Sequence, residues 1–189
     1  MKKICGTALA VLGAAVLFAF AAQGGSEQKK GSLKSKVVGA WTMQANVLDQ
    51  GGAKSEPFGP DAKGSVIFTN NGRLALVITR ADLPKFASNN RTTGTAEENK
   101  AAVAGSIAYF GSYTLNDADK TLIIHVEGST FPNWAGTDQK RTIELSGDEL
   151  KFINQAPSMG PGTVTVTWKR VKEAPKSASA RTPDGRQGG

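Results

Sequence analysis

The segment 125–141 carries the densest group of side chains that could do chemistry in this sequence. His125 is the only histidine, and Glu127 follows it by two residues. On one face of a strand, this pair could form an oriented general base. A surface histidine held by a hydrogen bond is the structural alternative, and the cleaner apolar face of this strand, opposite His125, predicts that His125 points outward. Because the chain has no second histidine, we expect no transition-metal site.

The residue alternation around Arg141 predicts that its side chain points inward. Arg141 shares a strand face with the apolar residues Ile143 and Leu145. A guanidinium inside a protein needs an anionic partner, which either a protein carboxylate or a ligand can supply. We expect the protein carboxylate, from Asp138 or Glu127 near the rim of the fold. A ligand carboxylate or phosphate is the alternative, and it would make Arg141 a ligand-binding residue.

Aromatic residues supply further candidates for ligand binding. Tyr109 and Tyr113 share a strand face and could offer a ring and a hydroxyl to an internal cavity, although core packing explains them equally well. Gly111 between them indicates a close backbone approach or a bend. Trp134, at the end of the connecting segment 131–134, could cover a ligand portal or plug one end of the fold, and we favour the plug.

Strands dominate the region that must position these residues. A hairpin signal such as Asn70-Asn71-Gly72, whose Asn and Gly accept positive φ, joins sequential strands. A capping box over 95–98 marks the start of one short helix. We therefore predict an all-β fold, an eight-stranded up-and-down antiparallel barrel with one short helix, whose interior is filled by side chains or holds one small ligand. The predicted strands cover residues 37–48, 63–69, 73–79, 108–115, 121–127, 138–145, 149–154 and 163–171.

The N-terminus has the pattern of a secretory signal peptide. Lys2 and Lys3 precede an uncharged apolar run over 4–20, and small residues follow at the spacing of a cleavage site. We predict a signal peptide over 1–21, and hence an exported protein, periplasmic or secreted, with no stable membrane insertion after cleavage. The only cysteine, Cys5, lies inside this segment, so the mature chain has no disulfide and no thiolate nucleophile.

The remaining chain divides into one domain with polar flanks. Residues 22–35 form a predicted flexible linker, 36–172 the domain and 173–189 a predicted disordered tail, because neither flank has enough apolar surface to offset its ordering entropy. Much of the basic excess behind the net charge of +7 lies in the flanks. Charge in such segments favours solubility over a nucleic-acid footprint, so we expect no nucleic-acid partner.

Several segments in sequence order are similar to the bacterial and fungal lipocalin-like domain family. The first of these contains Gly39-Ala40-Trp41, the Gly-x-Trp signature of lipocalins. The resemblance extends over about 37–171 and implies a calycin-type, lipocalin-like barrel, but no catalytic residues and no particular ligand. The matching segments are Val38-Gly39-Ala40-Trp41, Pro57-Phe58-Gly59-Pro60 with Gly64, Asn71-Gly72-Arg73, Arg80 through Phe86-Ala87-Ser88, Gly94-Thr95-Ala96-Glu97-Glu98, Tyr109-Phe110-Gly111-Ser112-Tyr113, His125-Val126-Glu127-Gly128-Ser129, Phe131-Pro132-Asn133-Trp134, and Gly136-Thr137-Asp138-Gln139 with Arg141.

The resemblance also implies one structural pair. In lipocalins the signature Trp packs at the closed end of the barrel against an Arg from the last strand. Trp41 and Arg170 occupy these places here, so we expect them to stack and to stabilise the fold by up to about 1 kcal/mol.

Three functions fit this fold. The first is a binding module that sequesters or carries a small, mostly apolar molecule, with Arg141 and Tyr113 fixing a polar end. The second is a small-molecule isomerase, cyclase or hydratase, in which His125, Glu127 and Arg141 would act on a substrate in the cavity. The third is a structural or stress protein with a filled barrel. We favour the binding module over the enzyme, and no motif in the sequence indicates a cofactor.

Overall fold

The computed structural model describes residues 31–172. The predicted signal peptide, residues 22–30 of the predicted linker and the predicted tail lie outside the described residues. The elements in chain order are α1 (Leu33–Val37), β1 (Gly39–Gln50), β2 (Ala53–Ser55), β3 (Lys63–Phe68), β4 (Arg73–Thr79), α2 (Ala96–Ala104), β5 (Ser106–Asn116), β6 (Thr121–Ser129), a 3-10 helix (Pro132–Trp134), β7 (Asp138–Ser146), β8 (Glu149–Asn154) and β9 (Thr163–Arg170).

The strands form one closed antiparallel sheet. Their order is β2-β1-β3-β4-β5-β6-β7-β8-β9, and pairing of β1 with β9 closes the barrel. The short strand β2 folds back on the C-terminal end of β1 and adds a ninth strand to the eight of the barrel wall. The predicted eight-stranded up-and-down barrel is thus confirmed. Among residues 31–172, no helix is long and apolar enough to cross a membrane.

Local sequence explains the start of helix α2. The Thr95 hydroxyl accepts the backbone N–H of Glu98, and the Glu98 carboxylate accepts the N–H of Thr95, so the predicted capping box is present. The second oxygen of the Glu98 carboxylate accepts the N–H of Ala87 at 2.8 Å. One glutamate therefore ties the long 80–94 loop to the first turn of α2.

Two register irregularities shape the wall. In β1 the pairing with β9 shifts between Met43 and Ala45, so Trp41 is buried before the shift and Asn46 and Leu48 are buried after it. The second irregularity lies between Phe110 and Gly111.

At the second irregularity the backbones of β5 and β6 come unusually close. A Cβ on Gly111 would lie 1.9 Å from the carbonyl oxygen of His125, so only glycine fits at this position. The close approach that the sequence predicts at Gly111 is therefore real.

The closed end of the barrel is built around Trp41. The guanidinium carbon of Arg170 lies 4.1 Å from its ring centroid, which is the stacking implied by the sequence resemblance. The indole N–H of Trp41 donates to the carbonyl of Val37 at 2.8 Å. Helix α1 buries Val37 against this end and begins at Leu33, inside the segment predicted as linker, because Ser32 caps it and Val37 joins the core.

Candidate functional site

The opposite end of the barrel holds a cavity of about 270 Å³. This volume lies near the lower bound of small-molecule sites, about 300 Å³. Its mouth is formed by the end of α2, the 3-10 helix and the loop between β8 and β9, which place the exposed apolar side chains of Val103, Phe131 and Met159 around it.

Most of the cavity wall is apolar, and it includes rings from five aromatic residues. Arg141 is the only charged side chain among the described residues that line it. The lining residues are Asn46, Phe58, Leu76, Ile78, Val103, Ala104, Ser106, Ile107, Tyr109, Thr130, Phe131, Trp134, Arg141, Phe152, Asn154, Pro157, Ser158, Met159, Val164 and Val166.

Arg141 points into this cavity, as the strand alternation predicts. The residue is only 6% exposed, and Ile143 on the same face of β7 is also buried. One guanidinium nitrogen donates to the carbonyl of Lys140 at 2.7 Å, and another lies 3.5 Å from the side-chain oxygen of Gln139. Burial lowers the pKa of Arg141, and the hydroxyl of Tyr109 opposes that shift. An arginine nevertheless remains protonated at neutral pH, so the cavity contains a positive charge.

The expected ion pair of Arg141 with Asp138 or Glu127 is wrong. The Asp138 carboxylate accepts a hydrogen bond from Nδ1 of His125 at 2.9 Å, and Glu127 forms a bidentate ion pair with Arg73. Both carboxylates lie on the outer wall, since they leave their strands on the side opposite to Arg141. Among the described residues, none supplies a carboxylate to Arg141.

The two catalytic candidates lie outside the cavity. The side chain of His125 is 55% exposed and that of Glu127 is 38% exposed, and neither lines the cavity. The ion pair with Arg73 lowers the pKa of Glu127. The structure therefore does not bring His125 and Glu127 together with Arg141, and residues 31–172 contain no cluster of metal-ligating side chains.

Tyr109 and Trp134 join Arg141 in the cavity wall. Their rings meet edge to face with centroids 5.5 Å apart, and the guanidinium carbon of Arg141 lies 5.7 Å from the Trp134 ring centroid. Phe131 also packs edge to face with Trp134, with ring centroids 5.8 Å apart. Burial raises the pKa of Tyr109, while the nearby charge of Arg141 opposes the shift. Trp134 is half-buried at the mouth, where it forms part of the wall of an open cavity.

Tyr113 is in a different part of the barrel. It lies four residues beyond Tyr109 on β5, roughly 13 Å further toward the closed end. Its hydroxyl donates to the carbonyl of Thr69 at 3.0 Å, and its ring packs edge to face on Phe68. Tyr113 does not line the cavity, so its predicted role in fixing a ligand has no geometric support.

Asn46 is a cavity residue that the sequence did not reveal. It is 6% exposed, and its side-chain oxygen has no hydrogen-bond partner among the described residues. Simple alternation from Trp41 would turn Asn46 outward, but the register shift between Met43 and Ala45 turns it inward. A break of alternation in an otherwise regular strand gives no clear signal in a single sequence.

Comparison with known proteins identifies the family. A family described as "Lipocalin-like domain" matches residues 38–171. The chain belongs to the lipocalin-like domain family. This lipocalin-like domain is also 31% identical over 107 residues to the 4'-hydroxy-3'-methoxypropiophenone carrier protein ppsC of Aspergillus oryzae. The alignment covers 52% of this chain and 96% of that protein. The family match spans all eight strands of the barrel and every residue that lines the cavity.

Proposed function

We propose that this lipocalin-like domain binds and carries a small, mostly apolar molecule inside its barrel. The observation that carries the proposal is the charged side chain of Arg141, buried in a mostly apolar cavity without a carboxylate partner among the described residues. A buried charge is costly unless it is compensated, so a polar group of the bound molecule has a place at Arg141. The similarity to a protein named as a carrier supports the same function.

The cavity favours a carrier over the two other functions predicted from the sequence. An enzyme that uses His125 and Glu127 would need both groups near the substrate, and both lie on the outer wall. A purely structural barrel would fill its interior, whereas this one leaves about 270 Å³ open at one end. Apolar walls with few polar groups are typical of small-molecule sites.

Native mass spectrometry of the protein purified from its own host tests the proposal. We expect a retained small molecule in the wild type and its loss in Ile107→Trp, which fills the cavity near the mouth. The matched control is Ile123→Trp, because Ile123 is 39% exposed and points away from the cavity. A wild type that retains nothing, or equal retention by the two variants, would contradict a ligand in the barrel.

We also propose that the protein acts outside the cytoplasm. The support is the sequence of the first 21 residues, with its lysines, uncharged apolar run and small residues at the end. Mass measurement of the protein from its host tests export, since cleavage after Ala21 leaves a chain that begins at Ala22. Recovery of the uncleaved chain from the cytoplasm would contradict it.

A further inference from the structure

The charge inside the cavity restricts what the barrel can carry. Arg141 is the only charged side chain among the described lining residues, and it is 6% exposed. Its nearest partners are a backbone carbonyl, an amide oxygen and the face of Trp134, all of which are uncharged. A neutral apolar molecule would leave this guanidinium without a counter-charge and would remove water from around it.

We propose that the molecule carried in the barrel is a small aromatic acid, bound as a monoanion whose acidic oxygen meets Arg141. The inference rests on the proposed carrier function and names the class of its cargo. The acidic group is a carboxylate or the oxygen of an acidic phenol, both of which offer an anionic oxygen that accepts hydrogen bonds from a guanidinium.

The surroundings of Arg141 favour a single negative charge. Two guanidinium nitrogens are directed at Lys140 and Gln139, which leaves part of the fork for a ligand. Tyr109, whose ring lines the same wall, brings a hydroxyl close to Arg141. A dianion such as a phosphate monoester would leave one charge uncompensated, because no second cation lines the described part of the cavity.

The aromatic wall favours a ring. Phe58, Tyr109, Phe131, Trp134 and Phe152 all line the cavity, and edge-to-face contacts already join Trp134 to two of them. Aromatic rings pack on one another in this edge-to-face arrangement with a gain beyond their buried area. A cavity of about 270 Å³ has room for a small aromatic molecule, such as one ring with short substituents.

Calorimetric titration with matched probes tests the inference on the intact wild-type protein. Cinnamate is compared with methyl cinnamate, and 4-nitrophenolate at pH 8 is compared with 4-nitroanisole. We expect each anion to bind about tenfold or more tightly than its neutral partner, the size of one charge-assisted hydrogen bond. A preference for only one of the two anions identifies the acidic group as a carboxylate or as a phenol.

Substitution of Arg141 tests whether this residue is the source of the preference. In Arg141→Met we expect cinnamate to lose its advantage, while the affinity for methyl cinnamate changes by less than about threefold. Arg141→Lys, which keeps the charge without the planar fork, should retain part of the advantage. The control is Arg73→Met, since Arg73 lies on the outer wall in the ion pair with Glu127 and should not affect either probe.

The outcomes separate this inference from the carrier function. Equal binding of anion and neutral partner by the wild type would overturn the aromatic-acid inference and leave a carrier of neutral molecules. An anion preference that persists in Arg141→Met would overturn it as well. Failure of all four probes to bind, with no retained molecule in the protein from its host, would overturn the carrier function itself.

Discussion

The guanidinium of Arg170 lies 4.1 Å from the ring centroid of Trp41 at the closed end of the barrel. The same group donates to the carbonyls of Val38 and Lys36, which precede the first strand. Arg170, the last residue of β9, is thereby held against the segment that leads into β1. This contact closes one end of the barrel and leaves the other end free to hold a ligand.

Arg170→Met should destabilise the fold without changing the cavity. The variant loses the stacking on Trp41 and both charged hydrogen bonds to backbone carbonyls, so we expect the free energy of unfolding to fall by about 2 kcal/mol. Chemical denaturation measures the change. Lys169→Met, at the exposed neighbouring position, serves as control and should change stability by less than about 0.5 kcal/mol. Equal stability of the two variants would mean that the closed-end contact contributes nothing.

Trp134→Leu should weaken the binding of aromatic probes. The substitution removes the edge-to-face contacts with Tyr109 and Phe131 and the ring face near Arg141. We expect the dissociation constant for cinnamate to rise about tenfold, measured by calorimetry. Phe110→Leu is the matched control, because Phe110 is 50% exposed on the outer wall and does not line the cavity. An effect of similar size in both variants would point to general loosening of the barrel.

Asn46→Leu should stabilise the protein and impair its binding of hydroxylated ligands. The buried side-chain oxygen of Asn46 has no partner among the described residues, so replacing it by an apolar side chain of similar size should raise the free energy of unfolding by about 1 kcal/mol. Chemical denaturation measures stability, and calorimetry compares cinnamate with its 2-, 3- and 4-hydroxy derivatives. Any preference of the wild type for a hydroxylated probe should disappear in the variant.

Asn154→Leu is the control for this change. Asn154 also lines the cavity, but its side-chain oxygen accepts the N–H of Ala156 at 3.1 Å. We therefore expect Asn154→Leu to lower stability, in contrast to Asn46→Leu. A loss of stability in Asn46→Leu would show that the Asn46 amide is satisfied in solution by water.

Acid should loosen the 80–94 loop and the start of α2. Hydrogen bonds from the N–H groups of Ala87 and Thr95 hold the pKa of Glu98 below its ordinary value of 4.5. Since the pKa is lower in the folded state, the contribution of Glu98 is complete above the unfolded pKa and is lost as the pH falls through the folded one. We expect hydrogen exchange at Ala87 and Thr95, corrected for intrinsic rates, to accelerate below pH 4.5.

Glu98→Gln separates this effect from general acid unfolding. Glutamine keeps acceptor geometry at the capping box but has no charge to titrate. Protection at Ala87 and Thr95 should therefore be weaker than in the wild type at neutral pH and independent of pH in the acid range. Identical pH profiles for the two proteins would show that another group controls the loop.

Strand alternation explains how much of the barrel could be predicted. It placed Arg141 inside and His125 outside because both lie on regular stretches of β7 and β6. The partners of Arg141 could not be predicted in the same way. Glu127 pairs with Arg73, which lies 54 residues earlier in the chain. The two residues come together only because β4 and β6 both pair with β5 in the folded sheet.

The position of a residue along the barrel axis was also out of reach. Tyr109 and Tyr113 share one face of β5, and nothing in their spacing tells which of them lies at the open end. Only the assembled loops around the mouth decide that Tyr109 lines the cavity while Tyr113 packs on Phe68. Sequence periodicity indicates which side of the barrel wall a residue faces, but it gives no information about the position of that residue along the barrel axis.

The register shift in β1 has a consequence for how the sequence of this barrel can evolve. Odd-numbered residues such as Trp41 face the interior before the shift, and even-numbered residues such as Asn46 face it after the shift. The part of β1 that packs at the closed end and the part that lines the cavity can therefore be substituted independently of each other. Deletion of the extra residue, Gln44, would restore one continuous alternation along β1 and turn either Trp41 or Asn46 away from the interior. Such a deletion would therefore change either the packing of the closed end or the lining of the cavity.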